Sequence, residues 1–134
     1  MNMMKIEHLR MIQNVISRMA SNSFIIKGWA ITTFSALYAF AYLNHKSIVL
    51  IFGVLFICIF WYHDAFYLLQ ERRYCELYDK VRGQSEEDID FNMSVPASKE
   101  NVWNVIRRPI LISCYGFLLI LTILLFILIQ YNFL

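Results

Sequence analysis

The chain has 134 residues, of which 59% are apolar, 16% aromatic and only 16% charged. Soluble domains average about 45–50% apolar and about 25% charged, and a chain this short has too little interior to hide the excess. A mean hydropathy of +0.51 excludes a soluble monomer, a disordered chain and a secreted disulfide scaffold, and a net charge of +2 leaves no electrostatic footprint for nucleic acid.

Residues 1–23 carry Ile6, Leu9, Ile12, Ile16 and Met19 at three- and four-residue steps, with Lys5, Arg10, Asn14 and Arg18 opposite. That is the stripe of an amphipathic helix. Ser21-Asn22-Ser23 reads as a break, or as the cap of the next helix. The first hydrophobic run is 24–43. Its uncharged part, Gly28 to Leu43, falls short of the about 20 residues a spanning helix needs. Lys27 is therefore expected to snorkel to the headgroups while Phe24, Ile25 and Ile26 complete the length.

Asn44-His45-Lys46-Ser47 is a short polar turn. From Ile48 the pattern predicts one continuous helix over 48–82, about 52 Å long, which must project well beyond about 30 Å of hydrocarbon. Gly83 suits its C-terminal cap. Residues 84–98, with Glu86, Glu87, Asp88, Asp90 and Pro96, read as an acidic linker or loop. Residues 99–108 are expected to form a short interfacial helix with Ser98 as its N-cap. Pro109 then opens a third span, 110–130, free of charge. The expected fold is all-α, one membrane domain over 1–134. It comprises an amphipathic helix, a transmembrane hairpin with a long extension, and a third transmembrane helix.

Lysine and arginine set the orientation. Placing the N-terminal segment and the 72–108 stretch together puts every one of the 12 basic residues except Lys46 on one side. The positive-inside rule makes that side the cytoplasm. The expected product is a multi-pass membrane protein, N-terminus cytoplasmic and C-terminus outside. The Ala39-Phe40-Ala41 sequence resembles a signal-peptidase site, but an amphipathic helix upstream of it argues against cleavage.

Ionisable groups at depth in a membrane are functional suspects. Asp64, Leu68, Arg72 and Cys75 share one helical face. Asp64 can reach towards Arg72, or towards Arg18 or Lys27 of the preceding segments. One reading makes Asp64 and Arg72 an interfacial ion pair that fixes helix packing, the other part of a ring at the cytoplasmic mouth of an oligomer. In the first run, Gly28, Thr32 and Ala36 recur every four residues, with Ser35 and Ala39 beside them. Small residues let helix backbones approach closely in lipid. The stripe packs either the hairpin itself, or a neighbouring subunit, or lines a narrow pore.

No HExxH, GxSxG, phosphate-binding loop or paired carboxylates occur, so no catalytic residue, metal or cofactor is expected. The cysteines Cys58, Cys75 and Cys114 lack metal-like spacing and read as free thiols.

Trp61-Tyr62-His63-Asp64, then Tyr67-Leu68, Glu71-Arg72-Arg73-Tyr74 and Leu77-Tyr78, with the run from His8-Leu9 to Trp29, carry a resemblance. Over about residues 5–95 the chain resembles the SLATT-type two-span effector domains of bacterial conflict systems. The resemblance implies a pore-forming or membrane-disrupting effector of anti-phage defence, triggered by a partner. The third run, 110–130, departs from that pattern. The leading expectation is an oligomeric inner-membrane channel or pore, with the lipid bilayer, further copies of itself and a cytosolic sensor or signalling partner as its partners. A non-conducting adaptor that holds a cytosolic protein through residues 70–108 is the alternative. A small lipid-modifying enzyme is the third.

Overall fold

The computed structural model describes residues 2–95, 97 and 99–131. These contain α1 (Met3–Leu43), α2 (Ile48–Gly83), α3 (Val102–Ile106) and α4 (Pro109–Tyr131), with one short 3₁₀ turn at Glu86–Asp88. No strand occurs among the described residues. Helices α1, α2 and α4 are each long and apolar enough to cross a membrane.

The expected break at Ser21-Asn22-Ser23 does not occur: α1 runs through it for 41 residues. No proline or glycine lies between Met3 and Lys27, and serine or asparagine costs a helix at most about 0.7 kcal/mol each. Packing along the hairpin overrides a cost of that size. Helix α2 is likewise unbroken, and Gln84 rather than Gly83 is its cap residue.

The turn between them closes α1 by local chemistry. His45 adopts a left-handed φ of 52°. Its N–H donates to the Tyr42 carbonyl (3.3 Å) and the Lys46 N–H to the Ala41 carbonyl (3.0 Å). This is a Schellman cap with histidine where glycine is usual. The Asn44 side chain adds a bond to the Phe40 carbonyl at 2.9 Å.

At about 62 Å and 54 Å, α1 and α2 are far longer than α4 at about 35 Å. Helix α4 therefore lies along only the half of the hairpin nearest the turn. There Ile129 packs with Ala41 and Leu50, and Gln130 donates to Ser47 Oγ at 3.2 Å. The middle of the bundle is a core of Ala30, Phe34, Ile57, Ala65, Leu69, Val105, Leu111, Tyr115 and Leu118. Small residues let the hairpin close up: Ala30, Ala41, Gly53 and Ala65 are all buried.

Beyond α4 the hairpin continues as a two-helix arm. Residues 84–95 form a loop whose one regular element is the 3₁₀ turn at Glu86–Asp88. They fold back along the arm, and Ile89, Met93 and Val95 pack on Ile12, Leu77 and Val81. Lys5 Nζ donates to the Gln84 carbonyl (2.8 Å), and the Asn2 N–H to Glu86 Oε1 (2.7 Å). Buried His8 places Nε2 at 3.2 Å from the Asn92 carbonyl and its ring against Phe91. Glu86, Glu87, Asp88 and Asp90 stay exposed. Pro96 and the expected cap Ser98 lie outside the described residues. Instead Asn101 caps α3, its side-chain oxygen accepting the Asn104 N–H at 3.1 Å.

Gly53 packs tightly against α1, where an added Cβ would meet Leu37 Cδ2 at 3.0 Å. Gly53→Leu is expected to cost about 1–3 kcal/mol through overpacking, read as a lower thermal midpoint in detergent. Gly28→Leu, at a position where an added Cβ meets nothing, is expected to leave that midpoint unchanged.

Candidate functional site

Sixteen residues from the turn end of its helix, each of the three long helices brings one polar group to a common point. These are Lys27 on α1, Asp64 on α2 and Tyr115 on α4. The distance from the ends is roughly 24 Å in each case. Asp64 has no exposed surface. Lys27 Nζ lies 2.7 Å from its Oδ2 and 2.9 Å from its Oδ1. The Ser23 hydroxyl, also buried, donates to Oδ1 and accepts from Lys27 Nζ at 2.9 Å. The Tyr115 hydroxyl donates to Oδ2 at 2.9 Å. An ionised carboxylate is acceptor-only with two lone-pair sites per oxygen, and both oxygens here are fully served.

The neighbouring aromatics hold this arrangement from the side. Trp61 stacks on Tyr115 with ring centres 5.9 Å apart and planes 13° apart, and its N–H donates to the Ile106 carbonyl at 3.2 Å. Trp61 thus ties α2 to both α3 and α4. Nearer the turn, Tyr38 Oη lies 2.7 Å from Thr122 Oγ1 and 2.9 Å from the Leu118 carbonyl. That second polar contact joins α1 to α4.

Of the partners open to Asp64 in the sequence, the structure selects Lys27. Arg72 is not near it. Its Nε lies 3.7 Å from Glu100 Oε2, and Arg108 Nη2 donates to the same oxygen at 2.8 Å. Lys27 does not snorkel outward either; its side chain is only 21% exposed. The sequence reading missed Ser23 and Tyr115 as partners. A signal existed for both. Ser23 stands one turn before Lys27, and Tyr115 stands, to within one residue, as far from the end of the third run as Asp64 from the start of the second.

The small-residue stripe is placed on the opposite side of α1 from this node. Gly28, Thr32, Ser35, Ala36 and Ala39 are all exposed. The hydroxyls of Thr32 and Ser35 donate within the helix, to the carbonyls of Gly28 (2.9 Å) and Ile31 (2.8 Å). The residues that pack the hairpin are others, Ala30 and Phe34 against Gly53 and Ile57. Ile25, Gly28, Trp29 and Thr32 line a shallow groove of about 320 Å³ on the outer face.

Among the described residues no group of three or more potential metal-ligating side chains comes together. The cysteines are free. Burial pushes the Cys75 thiol above its ordinary range, and Glu71 and Asp79 push the same way against Arg72. A thiol held protonated is a poor nucleophile.

Comparison with protein-family models, with curated proteins and with solved structures finds no match for this chain.

Breaking a buried pair from one side is strongly destabilising because the other charge stays behind, at about 3–5 kcal/mol. Lys27→Met is therefore expected to lower the thermal midpoint more than the double variant Lys27→Met/Asp64→Leu, in which no buried charge remains. The comparison is a double-mutant cycle in detergent. A double variant as damaged as the sum of the two singles would show that the groups do not act as a pair.

Proposed function

We propose that this chain is a multi-pass protein of the bacterial inner membrane that assembles through the outer face of α1 into a channel or pore. The observation that carries the reading is the contrast between exposed faces. On α2 and α4 the exposed apolar positions are large, among them Ile51, Phe52, Leu55, Ile123, Leu124 and Ile127. On α1, Gly28, Ala36 and Ala39 form an exposed stripe of small residues beside the large Trp29, Ile31 and Phe40. Large side chains suit contact with lipid tails. In lipid no hydrophobic drive joins helices, and close backbone contact between small residues takes its place.

The outward placement of the stripe argues against its packing the hairpin and supports packing between subunits or lining of a pore over plain contact with lipid. The groove beside Gly28 and Trp29 gives a large side chain of a second copy a place to seat. Charge supports the orientation: with the arm inside, Lys5, Arg10 and Arg18 of α1 and Arg72, Arg73, Lys80 and Arg82 of α2 all fall on the cytoplasmic side. The role in anti-phage defence rests on the resemblance over residues 5–95. A second reading, an adaptor for a cytosolic partner, is favoured by one feature: the arm presents a groove along Leu68–Asp79 beside Arg108.

Ala36→Leu is expected to abolish cross-linked oligomers in membranes and the collapse of membrane potential on induced expression, whereas Ile123→Leu leaves both intact. An Ala36→Leu variant that assembles and depolarises cells like the parent would move the subunit interface elsewhere. Depolarisation absent from the parent itself, with oligomers present, would favour the adaptor.

Orientation is a separate expectation. A reporter active only in the periplasm, fused after Leu134, is expected to be active, and one fused before Met1 inactive. The reverse pattern would place the arm outside and overturn the charge argument.

A further inference from the structure

Where α4 ends and the arm begins, Leu68, Glu71, Arg72, Cys75, Glu76, Asp79 and Arg108 line a groove of about 580 Å³. It lies on a different face of α2 from the one that meets α1, since Leu69, Leu77 and Val81 are the residues buried there. Neither the Asp64 node nor the small-residue stripe contributes to it.

The groove's level is set by helix length. Leu68 is about 30 Å along α2 from Ile48, the thickness of the hydrocarbon, and Arg72 is about 36 Å along. Arg108, which precedes α4, is about 35 Å from Tyr131. Both guanidinium groups therefore stand in the headgroup layer, and the exposed Trp103 of α3 stands with them, where interfacial tryptophans belong. Cys75, Glu76 and Asp79 lie further towards the cytosol.

Charge is ordered along the groove. Arg72 and Arg108 converge on one carboxylate, Glu100. Each guanidinium has five N–H donors, so donors are left at this end even though Glu71 and Glu100 together balance the two positive charges. About one helical turn further on (~5.4 Å), Glu76 and then Asp79 line the groove, with Glu71 at its side; Arg82 approaches Asp79 only from its exposed side, Nη2 to Oδ1 3.8 Å. A ligand that fits carries a phosphate beside a hydrocarbon tail, and an N–H-bearing cation about one turn beyond the phosphate.

We propose that this groove binds the headgroup of an inner-leaflet phosphatidylethanolamine. The phosphate accepts from Arg72 and Arg108, the ammonium donates to the carboxylates of Glu76 and Asp79, and the acyl chains leave past Leu68. Phosphatidylglycerol offers no cation and sets its negative charge beside three carboxylates. Phosphatidylcholine has a cation but no N–H to donate. The inference rests on the membrane placement proposed above.

The test uses the full chain in phosphatidylcholine vesicles doped with equal fractions of phosphatidylethanolamine and phosphatidylglycerol. Lipid retained after mild detergent extraction is counted by native mass spectrometry. Phosphatidylethanolamine is expected to be enriched roughly tenfold over either competitor, as one or two charge-assisted hydrogen bonds would give. Arg72→Gln/Arg108→Gln is expected to remove the enrichment. Glu76→Gln/Asp79→Asn is expected to remove the preference over phosphatidylglycerol while phospholipid is still retained. Both pairs border the open groove, and an unchanged thermal midpoint confirms that each variant folds. Equal retention of the three lipids, or enrichment that survives both double variants, overturns the proposal. Displacement by soluble phosphoethanolamine at low excess overturns the lipid as the source. Flotation separates the two levels of inference. A chain that floats with the vesicles but shows no lipid preference sinks this proposal alone; one that does not float sinks the membrane placement as well.

Discussion

A carboxylate with no exposed surface must be given donors for all its lone pairs, and Asp64 draws them from two other helices. Lys27 and Ser23 come from α1 and Tyr115 from α4. Desolvating the two charges costs several kcal/mol per ion, so the pair is not a large net source of stability. What it supplies is register. A slide of one turn along α1 would exchange Lys27 for Ser23 or Ile31 opposite Asp64 and strand a buried charge. Apolar faces of leucine and isoleucine tolerate such a slide; this contact does not. Trp61, stacked on Tyr115 and bonded to the Ile106 carbonyl, carries the same constraint out to α3.

The node also divides the molecule. Towards the turn, three helices pack with Gly53, Ala41 and the Tyr38–Thr122 contact at their core. Away from it, two helices continue alone and would expose Ile12, Leu77 and Val81 along their seam. Residues 84–95 cover that seam. Such a cover is held by few apolar contacts and by bonds near the surface, which places it at the low end of local stability. Segments of that kind open first, so the arm's cover is expected to exchange its amides before the bundle does.

Long-range periodicity was legible in the residues, and short polar signals were not. The unbroken α2 and the charge-free α4 follow from apolar runs with no breaker other than Gly53 and Gly116, which helices packed against neighbours tolerate. Ser21-Asn22-Ser23 carries the composition of a cap, yet Ser23 is spent on Asp64, a partner forty-one positions away. Local propensity cannot register that. The fold-back of 84–95 was hidden by its four acids, which draw the eye from a period-2 alternation: Ile89, Phe91, Met93 and Val95. Of that alternation Ile89, Met93 and Val95 reach the core of the arm, while Phe91, at a left-handed φ of 54°, sets its ring against His8 instead. Asp64 and the small-residue stripe were visible as features. Lys27 as partner of the one, and the outward aspect of the other, depend on how α1 is rotated about its axis. That rotation is decided by the whole hairpin, and no single motif encodes it.

The unbroken course of α1 has a mechanical consequence. A helix pinned at Lys27 to Asp64 of α2 and free of hinges on either side behaves as a lever with its fulcrum at the node. From Lys27 to Met3 is about 36 Å, and from Lys27 to Leu43 about 24 Å. A tilt of roughly five degrees therefore carries the far tip about 3 Å and the turn about 2 Å the other way, at the same rise per residue. Force applied at Met3 is multiplied by about one and a half at Leu43, with displacement reduced in proportion.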